Sequence, residues 1–269
     1  MVTQANAWGQ VAAPADYYER DLVPALFEPW ARDLVERVGT GPGERVLDVA
    51  SGTGVVARIA AARVGPSGSV TALDVNPTMV EVGKQVCGAV RPAIEWRLAS
   101  AEDTGLPDAS YDLVFCQQGL QFVPDRSAAV RELHRVTVPG GRVAVSTWCD
   151  LEHSGFAPFP AAFARHIPDL PEPPAFVRTI FGLSDAAELE RLLTAAGFRE
   201  IRIGQRSGTV RYPSAAAWAR TFLSASPVVA VAAVDAAVRE RIVDEAAEAL
   251  GGGDGFAFPM TAHVAVAQR

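Results

Sequence analysis

Hydrophobic positions change their period several times along the chain, and each change marks an element. Between Tyr17 and Val38 the residues Leu22, Leu26, Trp30, Leu34 and Val38 recur every four positions. The stretch predicts a helix, interrupted near Pro24 and Pro29 because proline lacks the amide donor that a helix interior needs. Short apolar runs then alternate with longer periodic segments: strand Arg45 to Val49, helix 54 to 63, strand Ser69 to Leu73, helix 77 to 88, strand Ile94 to Leu98. A fourth strand, Tyr111 to Cys116, precedes a helix at about 125 to 136, which Pro139-Gly140-Gly141 is expected to end before a fifth strand, Arg142 to Thr147. Such alternation predicts a parallel sheet covered by helices.

The pattern breaks after Trp148. Cys149 to Gly182 is rich in proline and aromatic residues, with Phe156, Phe159, Phe163, Phe176 and Phe181, and predicts a lid or wall. Ser184 to Glu188 predicts an N-cap with a helix to Ala196, stopped by Gly197, and Glu200 to Val210 alternates as a strand. A second, mostly helical insertion spans 213 to 250, Gly251 to Gly255 is a flexible turn, and Phe256 to Val266 is the last strand.

Composition narrows the partners. Of 269 residues 49% are hydrophobic and 20% charged, enough apolar material for one large domain with a cap. The net charge is −7 and no Lys/Arg cluster could track a phosphate backbone, so nucleic acid is not expected. Cys87, Cys116 and Cys149 are odd in number and widely spaced, which suits free thiols in a reducing compartment, and no clustered ligands predict a metal. Met1 to Gln10 lacks the basic and apolar parts of a secretory signal. The most apolar run, Pro227 to Val234, is far shorter than the roughly 20 residues a membrane span needs. A cytoplasmic protein is expected.

The chemistry concentrates at Arg45-Val-Leu-Asp48-Val-Ala-Ser-Gly52-Thr-Gly54, a buried-type strand running into a glycine turn and then a helix. Gly52 and Gly54 remove side chains where a ligand must approach the main chain. Gly52-x-Gly54-x-x-Ala57 also fits a dinucleotide turn, and Asp74 lies 20 residues beyond Gly54, where a ribose-binding acid is expected. Asp48, however, would suit an ammonium or sulfonium ligand better than a pyrophosphate.

With Leu73-Asp74-Val-Asn76-Pro77-x-Met79, the Leu106-Pro107-Asp108 segment and Arg135-Val-x-x-Pro139-Gly140-Gly141, the turn completes an ordered series. The series resembles class I S-adenosylmethionine-dependent methyltransferases, and is most similar to the ubiquinone/menaquinone-biosynthesis type acting on small molecules. The resemblance covers roughly Arg45 to Trp148 and, more loosely, 184 to 211. It implies that the backbone at Ala50, Ser51 and Gly52 meets the methionine part of the cofactor, that Asp48 supports its ammonium, and that Asp74 accepts hydrogen bonds from the ribose hydroxyls. It implies further that Met79 packs on the adenine, that Ser100, Ala101 and Glu102 meet the adenine edge, and that Gln117 faces the methionine end. The chain departs from the family at Ala50, often glycine, which is expected to be sterically minor, and at Ser100, often an acid. Asp112 is expected to be structural at the strand's start, and His134 a surface or packing residue.

The resulting expectation is an α/β fold: a Rossmann-like, seven-stranded, mostly parallel sheet with helices on both faces. It forms one domain, 1–269, with a cofactor-binding core at 41–148 that continues at 184–211 and closes with a strand at 256–269. The helical cap is built from 1–40, a lid insertion at 149–183 and a second insertion at 212–255. The expected activity is methyl transfer from S-adenosyl-L-methionine, leaving S-adenosyl-L-homocysteine, to a small, largely apolar organic acceptor, with oxygen favoured over carbon or nitrogen. Quinone or specialised-metabolite biosynthesis is the expected setting. No Asn/Asp-Pro-Pro-aromatic element of nucleic-acid amino-methyltransferases is present.

His153, five residues past Trp148 on the segment leaving the fifth strand, is the candidate general base, with His166 and Tyr18 as weaker ones. Tyr18, Gln118, Gln121, Trp148, Phe181 and Phe222 are candidate acceptor-binding residues. A nicotinamide-dependent oxidoreductase and a non-catalytic cofactor-binding protein are the alternatives.

Overall fold

The computed structural model describes residues 15–167, 175–225 and 234–269. The N-terminal run Met1 to Gln10, the side chain of Phe176 and nearly all of the Pro227 to Val234 run lie outside the described residues.

The chain enters through α1 (Ala15–Tyr17), a π-helical stretch (Tyr18–Phe27) and α2 (Glu28–Arg37). The expected interruption at the prolines does not occur. Pro24 lies inside the π-helical stretch, which widens so that the Glu28 amide donates five residues back to the Val23 carbonyl. Looser winding absorbs the missing donor and the clash that would kink an α-helix. Pro29 falls in the first turn of α2, where no amide partner is required.

Seven strands follow: β1 (Arg45–Val49), β2 (Ser69–Asp74), β3 (Ile94–Leu98), β4 (Tyr111–Gln117), β5 (Thr137–Trp148), β6 (Arg199–Arg211) and β7 (Ala257–Gln268). They form one sheet in the order β3-β2-β1-β4-β5-β7-β6. β1 to β5 pair in parallel, and β7 runs antiparallel between β5 and β6. The helices between and after them are α3 (Val55–Val64), α4 (Pro77–Val86), α5 (Arg126–Val136), α6 (Phe159–His166), α7 (Ala175–Ile180), α8 (Ala186–Ala195), α9 (Ala215–Ala225) and α10 (Ala236–Ala249). Among the described residues no helix is long and apolar enough to cross a membrane.

Pro139-Gly140-Gly141 has a different part from the helix stop expected of it. α5 already ends at Val136, and β5 runs through the three residues, with a register shift against β4 between Tyr111 and Leu113. Gly140 takes a φ of 79° and its amide reaches the Arg269 carbonyl at 2.9 Å. Pro-Gly-Gly therefore makes an irregular strand entry pinned by the last residue of the chain. At that entry Asp112 receives the backbone amide and the guanidinium of Arg45, at 2.9 and 2.8 Å, as its structural assignment required.

Apolar residues gather in three clusters. One fills the side of the sheet under α5 and α8, including Leu47, Leu73, Val114, Val145 and Leu189. Another fills the side under α2 and α3, including Leu34, Val46, Ala60 and Phe115. The third lies beyond the carboxyl ends of the strands and is largely aromatic. There Phe156 meets Phe181, Trp218 and Phe222 edge to face with centroids 5.7, 4.9 and 5.0 Å apart, and the Trp218 indole donates to the Gly155 carbonyl at 2.7 Å. Each such ring pair adds about 0.5 to 1.5 kcal/mol beyond area burial, so the two insertions are held together by their own core.

Candidate functional site

Strand order reverses direction between β1 and β4, and in open α/β sheets ligands bind in the crevice at that point. The chain leaves β1 there through Ala50-Ser51-Gly52-Thr53-Gly54 and enters α3. Ala50, Gly52 and Gly54 have φ values of 55, 56 and 85°, all left-handed. Glycine adopts this region freely, whereas for alanine it costs about 1 to 2 kcal/mol. The departure at Ala50, sterically minor by expectation, is thus a conformational one, and it also constrains a neighbour. A Cβ on Gly119 would lie 2.5 Å from the Ala50 Cβ, so Gly119 must be bare.

The turn is clasped on two sides by aromatic rings. A Cβ on Gly52 would stand 3.3 Å from the Tyr18 hydroxyl, and one on Gly54 would stand 2.7 Å from Trp96 Cη2. Trp96 also fills the space beside Gly83 of α4, where a Cβ would be 2.1 Å away. The π-helical stretch is fastened above the turn by Glu19, which accepts from Arg58 at 2.9 Å and from the Thr53 hydroxyl. Sequence reasoning missed Glu19, Thr53, Arg58 and Trp96.

Two acids lie beneath the turn. Asp48 is buried and its Oδ2 accepts the Ala57 amide at 2.9 Å, capping the start of α3. Burial pushes the Asp48 carboxyl up to about 8, with Asp74 adding to the rise and the Ala57 amide opposing it. Asp74, also buried, accepts the Asn76 amide on Oδ1 at 2.9 Å and the Gly52 amide on Oδ2 at 2.8 Å. Its carboxyl is held above the ordinary carboxylate range, burial outweighing those amides. The Ser51 amide donates to the Leu73 carbonyl at 3.0 Å, so the turn is tied to the end of β2. Burial, followed by the charges of Asp74, Glu19 and Asp48, raises the Tyr18 phenol far above its ordinary value and keeps it protonated.

A pH dependence follows from Asp48. Its folded value of about 8 lies above the ordinary 3.8, so the stability of the neutral form is complete below pH about 4 and is lost as the pH climbs towards 8. Asp48→Asn stays neutral and can still accept from Ala57. Its melting temperature, followed by circular dichroism between pH 5 and 8.5, is expected to fall less than that of the wild type. A variant that loses as much as the wild type would remove Asp48 as the source.

The ends of β3 and β4 complete the crevice. Met79 is half-buried and belongs to none of the three apolar clusters, and Val75, just after β2, and Leu98, at the end of β3, are exposed. Ala101 is buried. The Ser100 hydroxyl donates to Glu102 at 3.1 Å, while the other Glu102 oxygen accepts the Asp125 amide at 2.8 Å at the start of α5. Gln117 donates to the Phe27 carbonyl at 3.0 Å, leaving its Oε1 buried without a partner among the described residues. Gln118, at a φ of 52°, lies 3.4 Å from the Ser146 hydroxyl and 3.5 Å from the Gln121 amide. Gln121 Oε1 and Ser51 Oγ are likewise buried and unpartnered.

The remaining candidates lie apart from this crevice. The His153 ring is 75% exposed and meets Asp150 at 3.0 Å. The depression it borders is walled by Pro158, Leu250, Phe256 and Pro259 rather than by the turn. His166 meets Glu245 at 2.8 Å, joining α6 to α10. His134 packs on Phe198 at 5.0 Å, the packing assignment expected for it. Trp148, Phe181 and Phe222 lie within the aromatic cluster, Trp148 set edge-on to Trp30 at 5.3 Å. His263 drew no notice in the sequence. Its Nε2 lies 2.9 Å from the Ser184 carbonyl, and it pairs in register with Thr147.

Known proteins resemble this chain in sequence and in fold. A family described as "Methyltransferase domain" matches residues 47–145. The ubiquinone/menaquinone biosynthesis C-methyltransferase UbiE of Geotalea daltonii is 39% identical over 137 residues, covering 50% of this chain and 58% of that protein. Its counterpart from Cupriavidus necator is 31% identical over 208 residues, covering 73% of this chain and 84% of that protein. Phosphoethanolamine N-methyltransferase 2 of Haemonchus contortus, solved with S-adenosylhomocysteine, has the same fold, with a TM-score of 0.58 at 15% identity over 97% of this chain and 61% of that one. These likenesses do not favour a nicotinamide enzyme. An α/β sheet of this order, a glycine turn at its reversal point and relatives matched over most of their length lead to one family: the chain belongs to the class I S-adenosylmethionine-dependent methyltransferases, close to the UbiE-type enzymes, with S-adenosylmethionine as its methyl donor.

Proposed function

We propose that the chain methylates a small, hydroxylated and otherwise apolar acceptor bound above the carboxyl ends of β4 and β5, with the cofactor held across the β1–β4 crevice. The observation that carries this reading is the trio of buried oxygens without partners among the described residues: Ser51 Oγ just after β1, Gln117 Oε1 at the end of β4 and Gln121 Oε1 just after it. Buried polar atoms without partners are uncommon, and a ligand offering donors satisfies them.

The residues fit the cofactor. Asp48 supports an ammonium, whose positive charge beside it would draw the raised carboxyl back down and favour its ionised form, and the backbone at Ala50, Ser51 and Gly52 meets the methionine end. Each Asp74 oxygen already holds one backbone amide and keeps a lone pair for a ribose hydroxyl. Met79, with apolar surface not used in any core, packs on adenine, and Ala101 walls its edge. Ser100 and Glu102 contribute mainly backbone groups there, because their side chains bond each other and α5.

The bound cofactor supplies an electrophilic methyl group on a sulfonium sulfur. The protein's task is to hold the acceptor in line with it and exclude water. Gln118 and Gln121 orient the acceptor by hydrogen bonds, and Tyr18, protonated over Gly52, can donate but not abstract a proton. Trp148, at the end of β5, and Phe181 and Phe222, in the cap, support the wall. His153 remains the candidate base only for an acceptor long enough to reach the rim.

Between the acceptor atoms, relatives named as C-methyltransferases of quinone biosynthesis favour carbon. Calorimetry with S-adenosylhomocysteine should give one binding site per chain, and incubation with ring-hydroxylated aromatics should give a C-methyl product located by NMR. Absence of binding would sink the cofactor site, and an O-methyl product would restore the oxygen expected from sequence.

A further inference from the structure

A cleft of about 470 Å³ opens on the far half of the sheet, beside α2, and none of the turn residues lines it. Its existence follows from two glycines on β6. Gly208 lies under Trp30 of α2, where a Cβ would come within 2.8 Å of the indole, so the helix seats closely on that end of the strand. Gly204 has nothing within 4 Å of its would-be Cβ, so the sheet beside the helix stays uncovered. Val38, Val264 and Val266 form an apolar floor, and Arg37, Arg142, Arg202 and Arg206 stand around it.

The four guanidinium groups are held in different ways. Asp33 orients two of them, accepting Arg37 Nε at 2.6 Å and Arg206 Nε at 2.8 Å. Glu44 accepts from Arg142 at 2.7 Å, yet Arg142 Nε is buried with no partner. The side chain of Arg202 has no ion pair or hydrogen bond among the described residues, and the residue is exposed. Against these four arginines stand Asp33, Glu44 and the lining Glu200, so the cleft is positive on a chain whose net charge is −7. An unsatisfied guanidinium donor and a free guanidinium lining one cleft with an apolar floor match an oxyanion on an apolar body. The volume is that of a small-molecule site.

We propose that this cleft is a second binding site, separate from the methyl-transfer crevice, for a small organic anion carrying a carboxylate or phosphate group on an apolar chain or ring. Arg202 and Arg142 Nε hold the oxyanion, and the valine floor takes the apolar part.

The test is calorimetry on the full chain with octanoate, octyl phosphate and octanol. One anion or both should bind saturably at one site, octanol at least about tenfold more weakly, and the better anion names the preferred headgroup. Arg202→Glu reverses a charge that has no partner to lose, and Gly204→Leu fills open space without straining the backbone. Each should weaken the anion about tenfold or more, in line with loss of a charge-assisted hydrogen bond or of the cavity, while S-adenosylhomocysteine affinity stays at the wild-type value. The proposal is overturned if neither anion binds saturably, if octanol binds as tightly, if both variants bind as the wild type does, or if cofactor affinity falls with the anion's.

Discussion

Asp74→Ala is expected to weaken S-adenosylhomocysteine binding by about 1.5 to 3 kcal/mol, on the scale of two ordinary hydrogen bonds. Two effects add in the same direction. The ribose hydroxyls lose their acceptor, and the Gly52 and Asn76 amides, now held by Asp74 at 2.8 and 2.9 Å, lose theirs, so the turn keeps only its Ser51–Leu73 backbone tie to β2. Asp74→Asn keeps one acceptor oxygen and should fall between alanine and wild type. Calorimetry on variants whose thermal melts show a folded protein separates lost affinity from lost fold. Wild-type affinity in Asp74→Ala would falsify its place in the site.

Gly119→Ala should be the more damaging change for the fold. The new methyl would lie 2.5 Å from the Ala50 Cβ and 3.2 Å from Cys116 Sγ. Overpacking of this kind costs about 1 to 3 kcal/mol, and here neither partner is the tip of a flexible side chain. Ala50→Gly alone should be neutral to stabilising, because it removes a left-handed alanine at the expense of a looser unfolded chain. Combined, the two changes should recover a large part of the loss, though not all of it, since Cys116 remains close. Urea unfolding of the four proteins measures the coupling. Strict additivity would mean that the two Cβ positions do not meet.

Much of the sheet was legible because strands buried on both faces write apolar runs, unbroken in Leu113 to Cys116 and interrupted only by Asp48 in Val46 to Val49. The glycine turn was legible because left-handed backbone restricts residue choice so sharply. Ala50 broke that rule, and its consequence at Gly119, 69 positions on, has no local signature. Contacts between distant segments were invisible for the same reason. Glu19 and Arg58 meet only because the π-helical stretch lies on α3, and nothing in the period of either segment announces it. Pro24 misled because proline's ordinary effect in an α-helix was assumed, whereas a wider helix accommodates it. His153 attracted notice by its place after β5, but the direction in which a loop side chain points is decided by its neighbours, here Asp150 and solvent. The phenylalanines of the insertions offered apolar surface without revealing whether it faces a ligand or itself, and packing turned most of it inward.

Trp96 carries a consequence for how this protein can change over time. One rigid ring fills the space left by Gly54 in the turn and by Gly83 in α4, so two positions 29 residues apart answer to a single side chain. Neither glycine can acquire even a methyl group while the indole stays, and a smaller residue at 96 would open a void beneath the turn unless one of them grew. Substitutions at 54, 83 and 96 should therefore be accepted in a fixed order, the ring shrinking first, and divergent relatives should depart from glycine at 54 or 83 only where 96 is smaller than tryptophan.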